Sequence, residues 1–180
     1  QPFAVRDAFV VVPTRAAADE LRRTFETILL DAPGRVVCLP AMGTRGDLLV
    51  ALRTRLTGPP PLLDGFEREV LLSRAARDAQ AAGVVPPFVL RPGLVAEMLT
   101  LYDTLRRQRR SVERFDTLLT DELAASDDRG AMRLLQQTAF LVDTFRRYEA
   151  LVEAAGADDE HGLVDRLLAE PALRPLRQVS

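Results

Sequence analysis

Two short apolar runs stand near the front of the chain, Ala8-Phe9-Val10-Val11-Val12 and Arg35-Val36-Val37-Cys38-Leu39. Each stops at a proline, Pro13 and Pro40. Each is continuous rather than alternating, the pattern of a strand covered on both faces of a parallel sheet. Between them Ala17, Leu21, Phe25 and Ile28 fall on one helical stripe that begins near Arg15 and is closed by Pro33-Gly34. Strand, helix and strand in this order make a βαβ unit, and its strands must run parallel. Two strands cannot bury both faces of such a sheet. Further strands are therefore expected from sequence outside these 180 residues. The chain reads as a piece of something longer. It begins at Gln1 rather than Met, and Pro175 to Ser180 resemble the approach to a strand cut short.

Helices alone follow. Thr44-Arg45-Gly46-Asp47 has the form of a helix start, with Thr44 as cap and Asp47 three residues on. Leu48, Leu49, Leu52 and Leu56 give that helix an apolar face. Gly58-Pro59-Pro60-Pro61 is a rigid break and the expected boundary between subdomains. Beyond it, Phe66, Val70, Leu71, Ala75 and Ala79 define one helix. Pro92 opens the next, lined by Leu94, Met98, Leu101, Tyr102 and Leu105. Ser111 caps a third, carrying Val112, Phe115, Leu118, Leu119 and Leu123. The longest runs from Asp128 to Ala155, with Leu134, Leu141, Phe145, Tyr148 and Val152 inward and Gly156 as its C-terminal stop. A last helix spans Asp159 to Ala169. The expected fold class is an α/β fragment: a short parallel βαβ unit over 1–58, a helical insertion over 62–155, and a helix over 156–180 that leads back toward the α/β part.

Composition narrows the chemistry. Apolar residues are 47% and charged residues 28%, with a net charge of -2, ordinary for a globular chain and unlike a strongly basic DNA-binding domain. One cysteine, Cys38, excludes an internal disulfide and a multi-cysteine zinc site. Lying in the second run, it reads as a small buried hydrophobe. One histidine, His161, leaves no histidine cluster and reads as a surface or packing residue. All 24 basic residues are Arg, so there is no Schiff-base lysine and no phosphate-loop lysine. No apolar run is long enough to span a bilayer and no signal segment opens the chain. No membrane partner and a cytoplasmic, reducing location are the expectations.

Three places carry polar groups worth weighing. Thr14 and Arg15 follow the first strand, at the edge where open α/β sheets bind ligands. Thr14 can donate to a phosphate oxygen, as can helix N–H groups, and Arg15 adds charge-assisted bonds; the plain alternative is that Thr14 only caps the helix. Thr44, Arg45 and Gly46 repeat the arrangement after the second strand, and together the tips would form a lip for a nucleic-acid backbone. Gly46 permits close backbone approach and equally serves a turn. Arg106-Arg107-Gln108-Arg109-Arg110 is the densest basic run, either a phosphate contact or a solvated helix C-terminus favoured by the helix dipole. Asp158-Asp159-Glu160 reads as an acidic helix N-terminus rather than a metal or nucleotide motif.

Val10-Val11-Val12-Pro13-Thr14-Arg15-Ala16-Ala17-Ala18-Asp19-Glu20-Leu21 resembles motif Ia of superfamily 1 helicases of the UvrD/Rep type, more narrowly the helicase-like portion of AddB-type helicase–nuclease proteins of double-strand-break repair. Thr44-Arg45-Gly46-Asp47-Leu48-Leu49 sits where that family has Thr-x-His before a Leu-rich helix, with Gly46 in place of the His. The helical block resembles the family's inserted subdomain 1B. Tyr148, Leu151 and Gly156 to Leu168 are similar to the lead-in to the Walker B strand. The resemblance implies a partial RecA-like 1A part, contact with single-stranded DNA, and ATP and Mg for the parent protein. The Walker A loop and Walker B acids would lie before residue 1 and after residue 180. No cofactor and no ATP hydrolysis are therefore expected of this piece. It implies DNA contacts at Thr14, Arg15 and Thr44, and a partner helicase–nuclease subunit becomes an expected associate. Two other readings stand beside it: a motor-less scaffold of the same fold, and an all-helical protein-interaction module with an incidental βαβ start.

Overall fold

The computed structural model describes residues 5, 8–29, 38–123 and 128–170. Of these, the residues up to Pro59 and from Arg166 belong to one compact unit, and Pro60–Asp165 form another.

In the first unit, β1 (Phe9–Val11), α1 (Arg15–Leu29) and β2 (Ala41–Gly43) form a parallel βαβ unit, followed by α2 (Arg45–Arg53). The register pairs Phe9 with Ala41, Val10 with Met42 and Val11 with Gly43. The ladder is extended by the Ala41 N–H donating to the Ala8 carbonyl at 3.1 Å and the Val12 N–H donating to the Gly43 carbonyl at 2.9 Å. The second strand is not the run at 35–39. Residues 35–37 and the Pro33-Gly34 stop lie outside the described residues, Cys38 and Leu39 are not in a strand, and Cys38 is exposed rather than buried. Pro40 precedes the strand instead of ending it. Proline has no N–H for the ladder, and the capped start of α2 at Thr44 sets where the strand must finish. Nor is β1 buried on both faces: Phe9 and Val10 are half-buried and Val11 is 51% exposed. Two strands cover only one side. Leu49 and Leu56 form the buried part of the α2 segment, Leu56 from the turns beyond the helix end.

The second unit holds α3 (Gly65–Ala81), α4 (Pro92–Arg107), α5 (Val112–Leu123), α6 (Arg129–Ala154) and the start of α7 (Glu160–Ala169). Its ends are clasped by a short parallel bridge, in which the Leu63 N–H donates to the Asp158 carbonyl and the Asp158 N–H to the Pro61 carbonyl, both at 2.9 Å. Residues 157–165 thus belong to the helical unit. Local signals explain most helix ends. Asp64 and Glu67 make a reciprocal capping box at α3. Pro92 stands at the first turn of α4. Ser111 Oγ accepts from the Arg114 N–H, and Gly156, past α6, has φ 61°.

α6 packs against α3 and α5, and α3 against α4. Their shared core joins Leu72, Ala75, Ala76 and Ala79 with Met98, Tyr102, Val112, Phe140, Phe145 and Tyr148. Small residues on α3 complement large ones on α6. The expected inward stripe of α3 holds at Ala75 and Ala79, both fully buried, and fails in its first half. Phe66 is 74% exposed and Val70 is exposed, while Arg68, Leu72 and Ala76 turn inward. Leu134, expected inward on α6, is also exposed.

Candidate nucleic-acid interface

The pairing of Val11 with Gly43 brings the two threonine-bearing tips side by side. Thr14 Oγ1 accepts from the Ala17 N–H at 3.1 Å, so it caps α1. Among the described residues, nothing accepts its own hydroxyl proton. Thr44 caps α2 in a closed reciprocal box. Its N–H and its hydroxyl both donate to Asp47 Oδ2, at 2.9 and 2.7 Å, and the Asp47 N–H returns a bond to Thr44 Oγ1 at 3.3 Å. The other Asp47 oxygen, Oδ1, takes a bond from Arg15 NH2 at 3.2 Å, joining the two tips across the sheet edge.

Gly43 makes this arrangement possible. A Cβ there would lie 2.9 Å from the Asp47 Cβ and 3.1 Å from the Phe9 ring. Gly46 is different: a Cβ would meet only Thr44 Oγ1, at 3.7 Å, an ordinary contact. The turn does not need glycine there, which leaves the exposed first turn of α2 bare. Arg45 stands beside it, also exposed. The Thr44 hydroxyl bond, then the Thr44 backbone bond, hold the Asp47 carboxyl below its ordinary range, with Arg15 adding to them and desolvation opposing. The rim thus combines two helix N-termini, which favour anions, with one carboxylate that does not. The Thr44 hydroxyl is committed to Asp47, so donation to an incoming phosphate falls to Thr14 and Arg15.

Arg106 and Arg107 lie at the end of α4 in the second unit. Arg106 is a brace rather than an exposed contact: NH2 donates to Asp165 Oδ2 at 2.6 Å, NH1 is 3.9 Å from Glu149 Oε1, and its side chain is 24% exposed. Arg107 is more open and stands 4.0 Å from Asp103.

The sequence reading missed a buried polar cluster in the second unit. Arg68 NH2 donates to Asp103 Oδ1, Arg68 NH1 lies 3.4 Å from Asp103 Oδ2, and Arg68 Nε donates to the Tyr148 hydroxyl at 3.1 Å. Tyr148 donates in turn to Asp159 Oδ2 at 3.3 Å. His161, expected as a surface or packing residue, is buried with Nε2 2.9 Å from Asp103 Oδ1. Asp159 Oδ1 accepts from the N–H groups of His161 and Gly162, capping α7. Burial opposes the charge on both Arg68 and Asp103, yet the bonds from His161 and Arg68 hold Asp103 down, and those to Asp103 and Tyr148 keep Arg68 charged. The cluster fastens α3, α4, α6 and α7 together. Its one signal in sequence was Arg68 itself, which shares a helical stripe with Leu72, Ala75, Ala76 and Ala79.

Among the described residues no His, Cys, Asp and Glu group could hold a metal ion, and no helix is long and apolar enough to cross a membrane. No protein-family model matches the chain, and no curated protein matches it.

Proposed function

We propose that this chain is the single-stranded-DNA-contacting part of a repair helicase or helicase–nuclease of the UvrD/AddB kind, with the βαβ rim lying along the DNA backbone. One observation carries the reading: Arg15 NH2 reaches Asp47 Oδ1 at 3.2 Å, so the tips of the two parallel strands share one edge. Thr14 and Arg15 supply the donors, and Arg45 and Gly46 line the second tip. Arg107 is the more open of the two α4 arginines considered for phosphate contact. Such contacts read phosphate rather than sequence. In this reading ATP and Mg serve the parent motor, and no hydrolysis is expected of these residues alone.

The test is fluorescence anisotropy of a labelled dT oligomer titrated with the chain at about 50 mM salt. Binding that weakens with salt is expected. Arg15→Ala should weaken it for all sequences alike and lower the salt slope by about one. No binding at that salt overturns the reading. Gly46, standing where the family has a DNA-contacting His, supports a second reading, a motor-less scaffold of the same fold. A Gly-x-x-x-x-Gly-Lys-Thr loop encoded upstream of residue 1 in the parent gene would argue for the motor instead.

A further inference from the structure

Arg15 and Asp47 form an unequal pair. The Asp47 carboxylate is pinned by two bonds from Thr44 and seated over Gly43, where no side chain intervenes. Arg15 is 82% exposed and, among the described residues, has this one partner. Any rearrangement of the pair must therefore move Arg15 and leave Asp47 in place. An exposed ion pair of this kind is weak and screened by salt, so a phosphate can compete for the guanidinium. The carboxylate that remains behind is a fixed negative charge on the same edge.

Resting on the nucleic-acid reading above, we infer that Asp47 is the guard of this rim, a residue that holds Arg15 and sets how readily a phosphate backbone captures it. Removing the Asp47 charge frees Arg15 and removes the repulsion together. Asn at the same position keeps an oxygen to accept the Thr44 N–H, so the cap survives.

Four forms of the full chain test this against a dT oligomer: wild type, Arg15→Ala, Asp47→Asn and the double variant. Asp47→Asn should bind more tightly than wild type by up to about fivefold, the most an exposed pair allows, and the double variant should bind no better than Arg15→Ala. Binding by Asp47→Asn when wild type shows none would overturn the DNA reading for the natural chain, and the guard with it. If wild type binds through Arg15 but Asp47→Asn is no tighter, or the double variant keeps the gain, the guard is overturned while the DNA reading stands. If none of the four binds, both fall. NMR of the unmodified chain needs no variant: on adding dT, the Arg15 Nε–H signal should move while the Thr44 and Asp47 amide signals stay. Opening of the cap, or an unmoved Arg15 signal, overturns the guard.

Discussion

Arg109 closes α4 in a backbone conformation that ordinarily belongs to glycine, with φ 57°. Its N–H donates to the Arg106 carbonyl and the Arg110 N–H to the Leu105 carbonyl, both at 3.0 Å, the paired bonds of a helix stop. A β-carbon there costs about 1 kcal/mol. Arg109→Gly should therefore raise stability by roughly that amount, read as a higher midpoint in urea unfolding. The basic run marked the helix end from sequence; that one of its arginines stands where glycine is preferred did not show. Thr144 is a second such residue. It is fully buried on α6, and its hydroxyl has no hydrogen-bond partner among the described residues. Thr144→Val keeps the shape and removes the unsatisfied group, with a gain of about 1 kcal/mol in the same assay.

Among elements, the joint of α3, α4, α6 and α7 is ionic at its centre and apolar around it. Tyr102 packs 5.1 Å from Tyr148 and 5.9 Å from His161, ring centre to ring centre. Burial raises the Tyr148 hydroxyl to about 12, so it stays a donor to Asp159 at neutral pH. Burial also opposes ionisation of Asp103, but the His161 and Arg68 bonds outweigh it and hold the carboxyl down to about 2. A carboxyl lowered in the folded state stabilises the fold at pH above its unfolded value, about 4, and the stability is lost as pH falls toward about 2. Asp103→Asn should cost about 3 kcal/mol at pH 7, because Arg68 loses the nearer of two buried carboxylates and keeps only Asp159, 3.6 Å away. It should also flatten the fall in stability between those two pH values. Urea unfolding of both proteins across pH 2–7 checks the pair of outcomes, and a variant as acid-sensitive as wild type would contradict the assignment.

At the scale of the molecule, the principal apolar core, from Leu72 to Tyr148, lies wholly within Pro60–Asp165. The first unit pairs two three-residue strands and buries few large side chains among its described residues, Leu49 and Leu56 chief among them. A fragment of residues 60–165 should therefore unfold cooperatively on its own, followed by circular dichroism, while 1–59 should not. A cooperative transition in the shorter fragment would show that its sheet is sufficient. Read from sequence alone, the order of helices, the caps at Thr44 and Ser111, Pro92 at the first turn of α4 and the Gly156 stop were legible, because each depends on residues within one turn of it. The position of β2, the first half of the inward stripe of α3 and the partners of His161 were not. Each depends on groups far apart in the chain: Ala8 for β2, Tyr148 for Arg68, Asp103 for His161. Local backbone chemistry determined where helices begin and end; which face is buried and which charges meet were decided only when the helices packed, since burial and pairing are properties of neighbours in space.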